Sequence, residues 1–196
     1  MKSKRLSQQL DFIKEIDKIK YIRRKTKLFH SDRNENNAEH SWHLAMMALV
    51  LMEHANEKID ILKVLKMVLI HDIVEIDSGD IFIYDTSRSH VNTVAELKAA
   101  NRIFGILPQE QAAALIDIWI EFEEAKTKEA KFAKAMDRFQ PTLQNAANKG
   151  GTWKEFEVAY ERVYNTTKSI KPGSNRLWEH GVELIRSYYK KTIHAG

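Results

Sequence analysis

The 196-residue sequence contains no cysteine. This absence excludes disulfide-stapled scaffolds, thiolate zinc sites, iron–sulfur clusters and cysteine nucleophiles. Because thiolates are missing, any metal ion must bind to histidine and carboxylate side chains. The absence of cysteine is also consistent with a reducing compartment, and we expect a cytoplasmic protein.

Residues that break secondary structure are scarce, with seven glycines and three prolines. Apolar residues make up 43% of the chain, which is enough to form a core, while so few breakers argue against a β-sandwich or a disordered linker protein. No segment alternates apolar and polar residues as a half-buried strand does. We therefore predict an all-α, single-domain helical bundle spanning residues 1–196.

Long apolar runs and a strong net charge are missing as well. The longest apolar run, Leu44–Met52, has nine residues, about half of a membrane span, and the N-terminus lacks the apolar region of a signal peptide. We expect no membrane partner. The net charge of +4 is too small to indicate binding to nucleic-acid polymers. The positive charge is local, because residues 18–27 contain six Lys or Arg and no acidic residue.

The spacing of apolar residues predicts the helices. They are expected at residues 6–21, 38–55, 61–70, 91–104, 108–124, 128–139, 153–166 and 175–190. Residues 26–37 and 81–89 are predicted to be loops. Asn36 or Asn37 is available as the N-cap of the second helix, with Glu39 in its first turn. Pro141 is expected to kink or end the helix that precedes it.

A dense group of acidic residues follows the most apolar predicted helix. His71, Asp72, Glu75, Asp77 and Asp80 fall within ten residues. Burying ionised carboxylates costs several kcal/mol each unless a cation or good hydrogen bonds compensate. The group therefore predicts a divalent metal ion.

One helix face supplies too few ligands for such an ion. His71 and Glu75 are four residues apart, so they share a face if the helix continues. The remaining ligands must come from other helices, and His40 and Asp137 are candidates because both interrupt apolar patterns. Histidine and carboxylate ligands suit Mn, Co, Fe, Ni, Zn or Mg and do not select one of these metals.

Three segments carry a more specific signal than these residue types alone. They are Arg33-Asn-Glu-Asn-Asn-Ala-Glu-His40-Ser, His71-Asp-Ile-Val-Glu75-Ile-Asp-Ser78-Gly79-Asp80 and Ala133-Lys-Ala-Met-Asp137, preceded by Arg24. The chain resembles the HD-domain superfamily of metal-dependent phosphohydrolases, and within it the branch of bacterial 5'-deoxynucleotidases and eukaryotic HD-domain relatives. The resemblance implies an HD-type bundle with the metal site between central helices. Its metal core would span about residues 36–140, with C-terminal helices of about 152–194 packed on it.

The resemblance also assigns roles to individual residues. It implies that His40, His71, Asp72 and Asp137 bind one divalent metal ion, and that Glu75 and Asp80 are catalytic groups that handle protons and position water. For substrate binding it implies Arg24, or its neighbour Arg23, as the group that holds phosphate. Lys25 stands where the deoxynucleotidases carry a tryptophan that helps to exclude ribose, so the sugar preference is open. Ser78 is a candidate for phosphate binding or for a role in the turn before Gly79.

The expected reaction is hydrolysis of a (deoxy)nucleoside 5'-monophosphate to nucleoside and phosphate by a metal-activated water. The alternatives are an HD phosphohydrolase that acts on another phosphate ester or on a nucleotide di- or triphosphate, and a non-catalytic module that senses a nucleotide. The expected partner is thus a nucleotide or another small phosphate ester. The resemblance also implies a homodimer, for which the aromatic-rich C-terminal helices are a candidate interface.

Five further residues are expected to have supporting roles. His43 is expected to pack beside the site rather than to bind the metal. Arg33 and Glu35 are expected to position the second helix through a salt bridge. The loop aromatics Phe82 and Tyr84 are expected to line a pocket beside Asp80.

Overall fold

The computed structural model describes residues 2–85 and 93–193, and these form a helical bundle, which confirms the all-α class. The α-helices are α1 (Lys2–Ile16), α2 (Asn37–Leu51), α3 (Ile61–Ile70), α4 (Glu75–Ser78), α5 (Thr93–Phe104), α6 (Gln109–Glu124), α7 (Lys128–Ala147), α8 (Gly151–Glu155), α9 (Tyr160–Thr167) and α10 (Asn175–Ile193). Short 3₁₀ turns occupy Asp17–Tyr21, Met52–His54, His71–Val74 and Lys168–Ile170. Among the described helices, none combines the length and the apolar character needed to cross a membrane.

The segment predicted as a loop at 26–37 instead contributes to an antiparallel hairpin. Strand β1 (Arg23–Lys27) pairs with β2 (Asn34–Asn36), with Arg23 opposite Asn36 and Lys27 opposite Asn34. Both strands are polar, and only Thr26 and Glu35 are buried, so they lack the apolar alternation by which a strand is recognised. The hairpin carries Arg24 and Glu35 to the start of α2.

The start of α2 is fixed by its cap. The Asn36 side chain accepts a hydrogen bond from the backbone of Glu39, and the Glu39 carboxylate accepts one from the backbone of Asn36, which is the reciprocal arrangement of a capping box. Arg33 binds the same Glu39 carboxylate through both terminal nitrogens, at 2.9 and 3.0 Å. Arg33 therefore positions the helix through Glu39, while Glu35 points into the interior.

The sequence predicted that the helix would kink or end at Pro141, but α7 continues past this proline to Ala147. A proline removes the hydrogen bond to the carbonyl four residues earlier, which here belongs to Asp137. The next carbonyl, of Arg138, accepts a hydrogen bond from the Thr142 hydroxyl at 2.9 Å. The side chains of Gln140 and Gln144, before and after the proline, both donate to Glu35. These contacts explain why the helix persists.

The main core lies between α2, α3 and α7. Leu44, Met67, Phe132 and Met136 are fully buried there, and Leu177 of α10 packs on the same cluster. A second cluster under α1, α5 and α6 includes Phe12, Ile103 and Phe104. Helix α10 packs against α7. The division into a metal core of about residues 36–140 and C-terminal helices of about 152–194 stays a prediction.

Several helix boundaries differ from the expected ones. The predicted helix at 153–166 is two helices, α8 and α9, because the chain turns between them with Glu157 at a φ of +47°. The first helix ends at Ile16 and continues as the 3₁₀ turn. The predicted helix start at 91–92 and the second part of the predicted loop, at 86–89, lie outside the described residues.

Candidate metal centre

All four predicted metal ligands meet at one buried point. His40 comes from α2, His71 and Asp72 from the 3₁₀ turn that follows α3, and Asp137 from the middle of α7. One donor atom from each of His40, His71 and Asp72 lies within 4.8 Å of the other two. Asp137 Oδ1 is 3.1 Å from His40 Nε2 and 3.7 Å from His71 Nε2.

Backbone contacts orient His71 toward this point. Its Nδ1 lies 3.0 Å from the Val68 carbonyl oxygen, so Nδ1 carries the hydrogen and donates it. In the neutral ring the lone pair is then on Nε2, and this buried atom has no hydrogen-bond partner among the described residues. The indole of Trp119 donates to the His71 carbonyl at 3.2 Å and holds the turn from the other side.

The residues present fit a divalent cation. Two imidazole nitrogens and two carboxylates form a donor set that suits borderline and hard divalent ions. The orphaned Nε2 of His71 lies 3.0 Å from Asp72 Oδ1, and such an atom needs either a proton or a cation.

The electrostatics of the cluster also favour a cation. Burial lowers the pKa of His71, but the negative charges of the neighbouring Asp72 and Asp137 outweigh it and raise this pKa to about 10. Burial raises the pKa of Asp137, yet the charge of Arg138 and the hydrogen bonds of both histidines hold it well below its usual range. The carboxylates thus stay ionised and attract positive charge to this point.

Arg24, Glu75 and Asp80 surround the metal centre. The Arg24 guanidinium is largely buried, with Nη1 at 2.8 Å from Asp72 Oδ2 and 3.8 Å from Asp80 Oδ1. The Asn37 amide donates to Glu75 Oε2, and its oxygen lies 3.4 Å from Arg24 Nη1. Asn37 therefore links the two groups from the first residue of α2.

Burial and charge shift the pKa values of both acids upward. Burial, and then the charge of Asp72, raise the pKa of Glu75 well above its usual value. Burial also raises the pKa of Asp80, against the opposing charge of Arg24. Both carboxyls therefore retain their protons to a higher pH than exposed acids do.

A cavity of about 260 Å³ opens beside the centre. Its charged lining residues include Arg24, Lys25, Asp72, Glu75, Asp80, Glu96, Asp137 and Arg138, and its aromatic lining residues include Phe82, Tyr84, Trp119, Phe122 and Trp153. Phe82 and Tyr84 thus lie where the sequence predicted them, beside Asp80.

The predicted substrate residues differ in where they lie. Arg24 and Lys25 line the cavity, but Ser78 is not among its described lining residues. The Ser78 hydroxyl instead donates to the Val74 carbonyl at 3.3 Å, which is the turn-stabilising alternative. His43 is half-buried and packs on Phe29. The roles of these residues toward a substrate stay predictions.

A profile of the HD domain family matches residues 16–178. The chain belongs to the HD domain family. Among its curated relatives, the 5'-deoxynucleotidase HDDC2 of Dictyostelium discoideum is 30% identical over 145 residues, covering 71% of this chain and 76% of the relative. The 5'-deoxynucleotidase hdd1 of Schizosaccharomyces pombe is 24% identical over 164 residues, covering 81% of this chain and 75% of that protein.

A solved structure extends the HD-domain match over almost the whole chain. It is described as a predicted metal-dependent phosphohydrolase from Magnetospirillum magnetotacticum MS-1, with 45% identity and a TM-score of 0.93. The alignment covers 98% of this chain and 96% of that protein. The similarity therefore includes the C-terminal helices as well as the centre.

Sequence reasoning missed a second layer of polar residues behind this HD-domain centre. Gln140, Gln144 and Asn37 are fully buried and bonded to site residues or to Glu35. A signal was present, because Asp137, Gln140 and Gln144 follow helical spacing and place a polar stripe on a buried helix face.

Proposed function

We propose that this HD-domain protein is a metal-dependent phosphohydrolase that converts (deoxy)nucleoside 5'-monophosphates to nucleoside and phosphate. The observation that carries the proposal is the convergence of His40, His71, Asp72 and Asp137 beside a cavity that also holds Arg24 and Glu75. The relatives named 5'-deoxynucleotidase support the substrate class. The Magnetospirillum structure supports the metal dependence.

The four convergent side chains would hold one divalent ion, drawn from Mn, Co, Fe, Ni, Zn or Mg. When bound, such an ion makes water a better nucleophile and neutralises charge on phosphoryl oxygens. The cytoplasmic location that we expect from the sequence stays a prediction.

The chain's own residues supply the remaining functions. Arg24 and Arg138 place positive charge in the cavity, where it attracts and orients the phosphate. Glu75, with its raised pKa, suits proton transfer to the leaving 5'-oxygen. Asp80 lies within 3.8 Å of Arg24 and orients both the arginine and the attacking water. Phe82 and Tyr84 offer aromatic faces to the nucleoside.

A substrate screen with added metal tests the proposal. Phosphate release is measured for matched deoxy- and ribonucleoside 5'-monophosphates, diphosphates and triphosphates, with Mn, Co or Mg and with a chelator. We expect monophosphates to be hydrolysed fastest and a chelator to stop the reaction. Preference for triphosphates or another ester would identify a different HD phosphohydrolase. Tight nucleotide binding without turnover under every metal would identify a sensing module.

We also propose that the protein forms a homodimer through α2. Trp42, Met46, Leu49 and Val50 form an exposed stripe at helical spacing on this helix. Among the C-terminal aromatic residues Trp153 is buried and Phe156 is exposed, so an interface there is the alternative. Residues 40–52 contain no Asp, Glu, Lys or Arg, so this stripe is neutral and can pair with its own copy about a two-fold axis.

Sedimentation of two matched variants tests the dimer. Val50→Glu should give a monomer, because it places a charge in the stripe, while Val94→Glu alters an exposed valine on α5 and should leave the dimer intact. A monomeric wild-type protein at high concentration would contradict the proposal.

A further inference from the structure

One buried carboxylate has no role in the function proposed above. Glu35 on β2 is 1% exposed, lies beside His40 and within 3.8 Å of Arg24 Nε, and is not among the described residues that line the cavity. Its Oε1 accepts hydrogen bonds from Gln140 Nε2 at 2.6 Å and from Gln144 Nε2 at 3.0 Å. Its Oε2 lies 3.4 Å from His40 Nδ1 and has no hydrogen-bond partner by strict geometry.

The neighbours of His40 Nδ1 are acceptors. Besides Glu35 Oε2, the amide oxygen of Gln140 lies 3.2 Å from this nitrogen. The Gln140 amide cannot turn over without cost, because its nitrogen donates to Glu35 and its reversal would set two acceptors against each other. Two oxygens therefore face Nδ1, and the imidazole meets them favourably only when Nδ1 carries a hydrogen.

Because Nδ1 faces Glu35 and Gln140, Nε2 is the nitrogen of His40 that can bind a metal ion. With the hydrogen on Nδ1, the lone pair is on Nε2, which lies 3.1 Å from Asp137 Oδ1 and 4.0 Å from Asp72 Oδ2. His71 reaches the same tautomer through a neutral acceptor, the Val68 carbonyl. The two histidines thus differ, because only His40 is backed by a carboxylate.

We infer that Glu35 is a positioning residue for the metal centre: with Gln140, it fixes His40 in the Nδ1–H tautomer and directs Nε2 to the metal. A carboxylate behind a ligating imidazole orients the ring and raises its basicity as a ligand. Glu35 thereby makes His40 a stronger donor than His71. The inference rests on the proposed metal centre, and it deepens the assignment of His40.

The test compares Glu35→Gln with Glu39→Gln. The first change keeps an oxygen for Gln140 and Gln144 but turns an N–H donor toward His40 Nδ1. The second removes a carboxylate from the same part of the chain, retains the capping-box acceptor and does not touch His40. Circular dichroism and thermal melts establish that each variant is folded.

Two measurements follow on the folded variants. Long-range ¹H–¹⁵N spectra of the metal-free protein, recorded along a pH titration, identify the tautomer of neutral His40. Competition with a chelating indicator gives the affinity for Mn²⁺ and Zn²⁺. We expect Nδ1–H in the wild type and in Glu39→Gln. In Glu35→Gln we expect a shift toward Nε2–H and a metal affinity lower by about 10- to 100-fold.

The outcomes separate this inference from the proposed function. If Glu35→Gln leaves both the tautomer and the affinity unchanged, Glu35 is not a positioning residue. A wild-type protein that binds no divalent ion overturns the metal centre instead. Should Glu35→Gln fail to fold, the spectrum of the Zn²⁺-loaded wild-type protein decides, because a His40 bound to the ion through Nδ1 overturns the inference and one bound through Nε2 supports it.

Discussion

Arg24 Nη1 lies 2.8 Å from Asp72 Oδ2, so the residue predicted to bind phosphate is ion-paired with a predicted metal ligand. Both side chains are almost buried, at 12% and 11% exposure. In such surroundings a charge-assisted hydrogen bond is stronger than at the surface. Arg24 therefore connects the cavity with the candidate metal centre.

Replacing Arg24 should separate catalysis from metal binding. We expect Arg24→Ala to lower kcat/KM by about 100-fold or more, because a buried charged donor to the phosphoryl group is lost. The metal affinity should stay within several-fold of wild type, since the four ligands remain. Kinetics and indicator competition measure the two quantities.

Arg23→Ala serves as the control for this prediction, and it also decides between the two adjacent arginines. Arg23 is exposed, and its Nη1 lies 3.4 Å from the Asn34 carbonyl oxygen. Near-normal kinetics are expected for this variant. A larger loss in Arg23→Ala than in Arg24→Ala would reverse the assignment.

Removing either proposed carboxylate ligand should eliminate both the metal and the activity. Asp72→Ala and Asp137→Ala each take one donor from a four-residue set, and we expect metal-free protein and no phosphate release. Elemental analysis and the phosphate assay test this. Asp77→Ala is the matched control, because Asp77 pairs with Arg102 at the surface. Wild-type turnover in a metal-free Asp72 variant would refute the metal mechanism.

Glu75 should make the stability of the metal-free protein dependent on pH. Burial and the charge of Asp72 raise its pKa well above the usual 4.5. A raised pKa means that the protonated carboxyl stabilises the fold fully below pH 4.5, and that this stability is lost as the pH rises through the folded-state pKa. Glu75→Gln stays neutral and avoids this loss.

In the presence of a chelator, the Tm of Glu75→Gln should therefore be close to that of the wild type at about pH 5 and higher than that of the wild type at about pH 8. Differential scanning calorimetry at both pH values measures this difference. A constant difference in Tm across the range would show that the Glu75 pKa is not raised.

Gly173 should not tolerate a side chain. A Cβ atom there would lie 2.3 Å from the Lys131 carbonyl oxygen and 2.8 Å from Ala135 Cβ, both on α7. We expect Gly173→Ala to lower the free energy of unfolding by about 2–3 kcal/mol, since a packed backbone must move. Denaturant titration tests it. Gly79→Ala offers a contrast, because a Cβ there meets no atom within 4 Å, although its φ of +73° carries a backbone strain.

The sequence predicted the elements whose residues follow apolar periodicity. Helix α3 occupies the expected residues 61–70, because its apolar pattern is nearly continuous and Asp60 caps it. The hairpin at β1 and β2 was missed, because its polar strands are held by backbone pairing and by the Asn34 amide bound to the Arg24 carbonyl. Such pairing leaves no apolar pattern in the sequence.

The convergence of the ligands was also predictable, whereas the residues behind them were not. His40, His71, Asp72 and Asp137 stand out as ionisable groups in apolar segments. Glu35 stands in a polar segment, where Arg33 was its apparent partner. Its hydrogen-bond donors, Gln140 and Gln144, are more than 100 residues away, so only the tertiary structure shows them.

The distance along the chain between His40 and Asp137 has a consequence for biosynthesis. The two side chains touch across 97 residues, and both partners of Glu35 lie on the same late helix. A ribosome makes the N-terminal two thirds of the protein before α7 emerges. Until then Arg24, Glu35 and His40 belong to an open half-site, and the metal centre is completed only when α7 docks. Nascent chains halted before α7 should therefore fail to retain a divalent ion.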